Sequence, residues 1–332
     1  MKEIEDFVNK INLEKPLFTA GPSCLLAENL IGLRPCFGRG DRSYQALEND
    51  VLDKVKRLSG HCEVTSFQGG GSLAMEIMIA NFASGRVLIV DTGYYSQRGH
   101  RMAVDAARNF KFITELNVVS TTNLGDVAEK YDWIFACFTE TSSALKLDIA
   151  ELNALKARTG ARLMLDAAAS IGLEEGHEIA DVISFSSCKG LFGLTGAGFV
   201  AFNDLPINPI ENFNMNIFSH LDKKMTGPYH AICSMAPILA DYEKFRLAVV
   251  NTKQNFCERY SDHLIYATKN QPLLCTQVSL TLRSKVQNAV MYVPRTRPQN
   301  CSIVCHLGEV YLGPNARGEI NDLLISDANM SS

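Results

Sequence analysis

The sequence predicts an α/β chain with a large, mainly parallel central sheet flanked by helices and a smaller α+β C-terminal domain. Three observations carry this. Between residues 60 and 202, short apolar, β-branched runs alternate with longer helical patterns, the mark of a βαβ succession. Several of these runs lack polar alternation, as expected where helices cover both faces of a sheet. After residue 203 the pattern gives way to the Pro- and Asn-rich stretch FNDLPINPIENFNMNIF, whose turn formers mark a long excursion, and then to scattered β-like runs.

The elements follow in order. Strands are expected over 62–67, 86–91, 111–118, 132–138, 161–166, 181–186 and 196–202, with helices between them over 72–82, 97–109 and 148–158. A helical segment covers 229–259. The β-like runs 275–283, 289–293 and 302–307 follow, and a terminal helix is expected from residue 315. The division is an N-terminal arm over 1–14, a large domain over 15–245 and a small α+β domain over 246–332.

Composition narrows the function. With 332 residues, 46% hydrophobic and 20% charged, the chain is neither disordered, collagenous nor a coiled coil. A net charge of -4 and a pI near 6.0 offer no polybasic surface, so neither nucleic acid nor a membrane is the expected partner. Small molecules are. The segment MKEIEDFVNKINLEKP mixes charged and apolar residues, and no apolar run approaches about 18 residues. The 10 cysteines form no CxxC pair, which suits a reducing compartment. A cytoplasmic enzyme is the expectation.

Three sites can carry chemistry. In SFQGGGSLAMEIMIANFA a strand ends in Gly69, Gly70, Gly71 and Ser72 and a helix begins at once, so backbone amides and the helix N-terminus can cradle a phosphate. It is neither a Walker loop nor the GxGxxG fingerprint, and alone it reads equally well as a tight turn. In ARLMLDAAAS a strand delivers Asp166 to its carboxyl end, where the bland reading is a helix cap. In DVISFSSCKGLFGLTGAGF another strand runs into Ser186, Ser187, Cys188 and Lys189 among small or apolar residues, which makes a semi-buried nucleophilic amine. A phosphate cradle, an Asp and a Lys at successive strand ends are the parts that hold pyridoxal phosphate: the lysine bonds its carbonyl carbon and the acid keeps its ring nitrogen protonated.

On these residues the sequence resembles the class V aminotransferases of the fold type I pyridoxal phosphate enzymes, in particular the 2-aminoethylphosphonate–pyruvate and alanine–glyoxylate aminotransferases. The resemblance covers about 15–245, with a thinner echo near 305–325. Its pieces are LFTAGPS at 17–23, DRS at 41–43, QGGGSLAME at 68–76, TGYYSQR at 92–98, TETSS at 139–143, DAAAS at 166–170, SSCKG at 186–190 and GAGF at 196–199. It implies pyridoxal 5'-phosphate as cofactor, Lys189 as its covalent anchor and proton shuttle, and Asp166 as partner of the ring nitrogen. Gly70, Gly71 and Ser72 fall in the phosphate loop with Ser187 near the same phosphate. Tyr95 stacks on the ring, Ala168 packs on its other face, and Thr141 bonds near the ring oxygen. Thr226, in a Thr-x-Pro segment preceded by Lys223 and Lys224, would reach the neighbouring subunit's phosphate, which implies a homodimer with shared sites. No metal is expected.

Two departures matter. Cys188 stands where the family has a polar phosphate ligand, and Ile303, in SIVCHLGEV, stands where it has the arginine that binds the substrate carboxylate. The substrate is therefore expected against Gly21 and one of Arg42, Arg295 or Arg297. The activity expected is ping-pong transfer of an amino group from a small donor, such as an aminoalkyl phosphonate, to a keto acid such as pyruvate. The alternatives are a lyase or decarboxylase with the same cofactor, including a cysteine desulfurase-like one, and a catalytically silent binding subunit.

Overall fold

The computed structural model describes residues 2–22, 25–35, 40–223, 225–296, 299–312 and 320–326. The chain opens with α1 (Lys2–Glu14), the two-residue strand β1 (Leu17–Phe18), α2 (Ala27–Gly32) and α3 (Arg42–Ser59). The Asp41 carboxylate accepts from the amides of Ser43 and Tyr44 and so starts α3, and Gly60 ends it in the left-handed region. Then come β2 (Glu63–Gln68), α4 (Gly71–Phe82), β3 (Gly85–Asp91), α5 (Tyr94–Phe110) and β4 (Ile113–Ser120). They are followed by β5 (Trp133–Cys137), β6 (Thr139–Glu140), β7 (Leu145–Lys146), α6 (Ile149–Thr159), β8 (Arg162–Asp166), β9 (Val182–Ser186) and β10 (Ala197–Phe202).

The seven expected strands form one sheet, in the order β2-β10-β9-β8-β5-β3-β4, with their ends shifted by a residue or two. The pairs β4–β3, β3–β5, β5–β8 and β8–β9 are parallel, whereas β10 runs antiparallel to both its neighbours. Strands buried on both faces feed two cores. Val87 and Ile89 face the layer of α4 and α5, and Leu88 and Val90 face the layer of α3 and α6. Each such side chain, fully buried, contributes about 1.5–3 kcal/mol. At Gly99 a Cβ would come within 2.2 Å of the Phe135 ring, so only glycine lets α5 lie this close to β5. That seats the first turn of α5 at the edge where β2, β3, β5, β8 and β9 all end.

The second half departs from expectation in three places. The helical segment over 229–259 is two helices, which follow the short α7 (Ile217–Leu221): α8 (Tyr229–Ala240) and α9 (Tyr242–Arg259). Asp241 leaves helical geometry between them (φ −131, ψ 43), a place where an acid costs less than in a helix interior. The run 275–283 splits into β11 (Cys275–Val278) and β12 (Leu282–Ser284), followed by β13 (Val290–Met291), β14 (Ser302–Cys305), α10 (Gly308–Tyr311) and β15 (Leu324–Ser326). Where a terminal helix was expected, residues 313–319 lie outside the described residues, 320–323 make a 3-10 turn, and β15 pairs antiparallel with β12, burying Leu282 and Leu324. Non-local pairing overrides the local pattern there. Strand β1 pairs with β13, and α9 runs continuously through the residue 245 boundary.

Candidate active site

At the carboxyl edge of the sheet, loops from five strands and the segment after β1 enclose a cavity of about 230 Å³. Gly21, Gly71, Ser72, Tyr95, Thr141, Asp166, Ala168 and Lys189 all line it, with Arg98, Cys137, Thr139, Cys188 and Tyr292. Lining residues as far apart in the chain as Ala20 and Tyr292 meet here, most of them because parallel strands end on one side, the place where such sheets bind ligands.

Strand β9 delivers Lys189, whose Nζ stands 5.6 Å from the Tyr95 ring centroid. A Cβ on Gly21 would lie 2.9 Å from Lys189 Cγ, and with φ at +114 that position suits only glycine; it flanks the lysine stem. Strand β8 delivers Asp166, which is 4% exposed. Its Oδ1 accepts from the Ala168 amide at 2.9 Å, and its Oδ2 lies 3.9 Å from the Cys137 thiol. Burial pushes the Asp166 carboxyl up from the usual range; the Ala168 amide and the Lys189 and Arg98 cations pull the other way. Burial and Asp166 together push the Cys137 thiol well up, so it is a neutral wall and not a nucleophile.

The phosphate-loop expectation has a physical basis. The amides of Leu73 and Ala74 bond to the Gly70 carbonyl, leaving Gly71 and Ser72 in the first turn of α4 ahead of these bonds. A Cβ on Gly198 would lie 2.8 Å from the Gly70 carbonyl oxygen, so β10 presses the loop into place. Arg98, one turn into α5, donates from Nη1 to Ser72 Oγ at 2.8 Å and puts a cation at this helix end. Sequence reasoning quoted Arg98 in a motif but gave it no role; its signal was its place one helical turn beyond Tyr95, on the same face.

Other expected residues lie elsewhere. The Ser187 hydroxyl faces away from the cavity and donates to the carbonyls of Leu194 (2.5 Å) and Ala197 (3.3 Å), closing the turn after Lys189. Gly70 does not line the cavity; its carbonyl accepts from the Leu73 and Ala74 amides and starts α4. Arg42 is the exposed first residue of α3 and does not line the cavity. Arg295 is exposed, with its guanidinium 5.9 Å from the Tyr94 ring, and Arg297 lies outside the described residues. Thr226 and Lys223 line a second cavity of about 630 Å³ with Tyr44 and Glu48, where Lys223 pairs with Glu48 at 2.6 Å; Lys224 lies outside the described residues. Ile303 is buried in β14 opposite Gln277.

These residues fit pyridoxal phosphate. The hydroxyls of Thr139, Thr141 and Tyr292 are buried at the cavity without hydrogen-bond geometry to any described group, so a polar ligand has donors and acceptors waiting. Asp166 offers a carboxylate oxygen, Tyr95 and Ala168 offer walls for a flat ring, and the first turn of α4 offers an anion cradle.

No protein-family profile matches the chain. In sequence it is 27% identical over 254 residues to a 2-aminoethylphosphonate–pyruvate transaminase of Pseudomonas putida (strain W619), covering 68% of each chain. In structure it is similar to an aspartate aminotransferase of subgroup IV from Thermus thermophilus (TM-score 0.75, 19% identity, 89% of this chain and 94% of that one). It is equally similar to an alanine–glyoxylate aminotransferase from Nostoc sp. (TM-score 0.75, 18% identity, 93% of each chain). The fold is therefore that of the fold type I pyridoxal phosphate aminotransferases, and the fold and relatives together imply pyridoxal 5'-phosphate as cofactor. Within that class the sequence likeness is to the 2-aminoethylphosphonate–pyruvate transaminases.

Proposed function

We propose that this chain is a pyridoxal phosphate-dependent aminotransferase that takes the amino group of a small aminoalkyl phosphonate, with 2-aminoethylphosphonate as the reference donor, and passes it to a keto acid such as pyruvate. The observation that carries the reading is the convergence of Lys189, Asp166, Ser72 and the unpartnered threonine hydroxyls on one cavity. The relatives' printed activity supports the choice of donor and acceptor.

The bound cofactor supplies an electron sink for the carbon that loses its proton. The chain's residues do the rest. Lys189 Nζ would anchor the cofactor and hold or move a proton in the cavity, where it stands 5.6 Å from the Tyr95 ring centroid. Asp166 places a buried negative charge where a ring nitrogen must stay protonated, and the low dielectric strengthens that charge. Gly71 and Ser72, in the first turn of α4, would bind the phosphate end. Tyr95 and Ala168 would pack against a flat ring and, with Ala20 and Met75, keep water from it. For the desulfurase alternative, Cys301 and Cys305 do not line the cavity and burial pushes the Cys305 thiol well up; the cysteines that do line it are Cys137, whose thiol burial also pushes up, and Cys188 beside the lysine.

The proposal includes a homodimer in which the exposed Thr226 serves the neighbouring subunit's phosphate, and a cytoplasmic location. Among the described residues no helix is long and apolar enough to cross a membrane. Borohydride reduction of the yellow protein, followed by peptide mapping, should fix the cofactor on Lys189; an adduct on another lysine refutes the site. Lys189→Ala should still bind the cofactor and lose turnover. Single-turnover spectra with 2-aminoethylphosphonate, phosphoethanolamine, alanine, serine and glutamate decide the donor, and preference for the simple α-amino acids refutes the phosphonate reading. Light scattering that shows a stable, active monomer refutes the shared site.

A further inference from the structure

We infer that Arg98, which lines the cavity, together with Arg101 and Arg295, which stand with it around the neighbouring Tyr94 ring outside that lining, forms the site that holds the non-reacting phosphonate or phosphate group of the substrate. This rests on the aminotransferase reading and says which residues replace the arginine that Ile303 cannot supply. Ile303 is 1% exposed inside the β11–β14 pair, so no small shift of that strand could present a cation there.

The three guanidiniums come from two separate parts of the fold. Arg98 and Arg101 project from α5, with their Cζ atoms 5.3 and 5.9 Å from the Tyr94 ring centroid, and Arg295 reaches the same ring at 5.9 Å from the segment after β13. The neighbouring Thr296 hydroxyl donates to the Ser142 carbonyl at 2.9 Å, which ties that segment to the residues after β6. Among the described residues none of the three arginines has a carboxylate within 4.0 Å, although 13 ion pairs are formed elsewhere. Three like charges around one ring repel one another unless an anion enters between them. Their field also pulls the Tyr94 phenol down, with the Arg98 hydrogen bond the largest cause.

Arg98 connects this rim to the reacting end. Its guanidinium carbon is 5.0 Å, and Lys189 Nζ 5.6 Å, from the centroid of the same Tyr95 ring, so the amine and the cation that a donor would bridge border one ring. A carboxylate is matched by a single arginine fork, whereas a tetrahedral dianion has three oxygens to share among several. The rim therefore selects phosphonate or phosphate over carboxylate.

The test uses the cofactor-loaded protein and methylphosphonate, an anion without an amine, by isothermal calorimetry. One molecule should bind per chain, more tightly than acetate. Arg98→Met and Arg295→Met should each weaken binding about 10- to 100-fold, the loss expected for a charge-assisted hydrogen bond, and Arg98→Lys should recover part of it. Pyridoxal phosphate affinity, read by absorbance, is measured for each variant, because Arg98 also touches Ser72. Exposed Arg295→Met should keep that affinity, which shows the variant is folded. Acetate binding as tightly as methylphosphonate, absence of one-to-one binding, or unchanged binding in both Met variants overturns the rim. Failure of the parent protein to take up pyridoxal phosphate overturns the aminotransferase reading instead, and is seen before any anion is added.

Discussion

Replacing Glu140 tests how the cavity wall is held. This side chain is fully buried, and its carboxylate accepts from the amides of Tyr95 (2.9 Å), Ser142 (3.2 Å) and Ser96 (3.3 Å) and from the hydroxyls of Ser142 (2.5 Å) and Thr92 (3.4 Å). Two of these donors open α5, so the carboxylate also meets the positive end of a 17-residue helix. A hydrogen bond to a charged group is worth about 1.5–3 kcal/mol, but bonds that share one acceptor do not add. Removing one partner of a buried charged network costs about 3–5 kcal/mol, and that is the loss expected for Glu140→Ala. Glu140→Gln keeps one acceptor oxygen and turns a donating NH2 toward donors, for about 1–3 kcal/mol. Because the Tyr95 amide is among the lost bonds, affinity for pyridoxal phosphate should fall with stability. Urea unfolding can be followed by the single tryptophan, Trp133 in β5, with cofactor titration alongside. A loss under about 1 kcal/mol with unchanged cofactor affinity would refute the argument that Glu140 positions α5.

Two further outcomes are expected. Asp166→Ala should lower turnover about 100-fold or more while changing stability by about 1 kcal/mol, because the buried charge it removes is one that folding had to desolvate; turnover near the parent's would defeat the electron-sink role. His177, buried against the Ser170 hydroxyl at 2.8 Å, is pulled down to about 4 by burial. Its folded value lies below the unfolded value of about 6.5, so the stability it confers is complete above pH 6.5 and is lost as pH falls toward 4, about 3 kcal/mol across that window. His177→Gln should flatten the acid limb of the urea midpoint against pH, and an unchanged slope refutes it.

The sequence by itself determined the central sheet. Its strands are apolar enough on both faces that any packing other than a covered parallel sheet would waste them, and the glycines after β2 and the acid after β8 mark where strands stop. It also named Lys189 and Asp166, since covalent and acid roles demand particular side chains. Only the tertiary structure decided which flanking residues share the cavity. Ser187, next to Lys189 in the chain, turns its hydroxyl to the Leu194 carbonyl, while Arg98, 91 positions before Lys189 (189 − 98), shares its wall. Neighbours in sequence point to opposite sides of a strand end or turn, whereas residues on separate crossovers meet wherever the strand order places them. Helix α3 did carry a helical signal, with Tyr44, Glu48, Val51 and Val55 on one buried face between the Asp41 cap and Gly60, and the sequence reading left it unused. The β12–β15 pair was illegible for a physical reason: segments this short carry little periodicity of their own, and what fixes them is a partner far away in the chain.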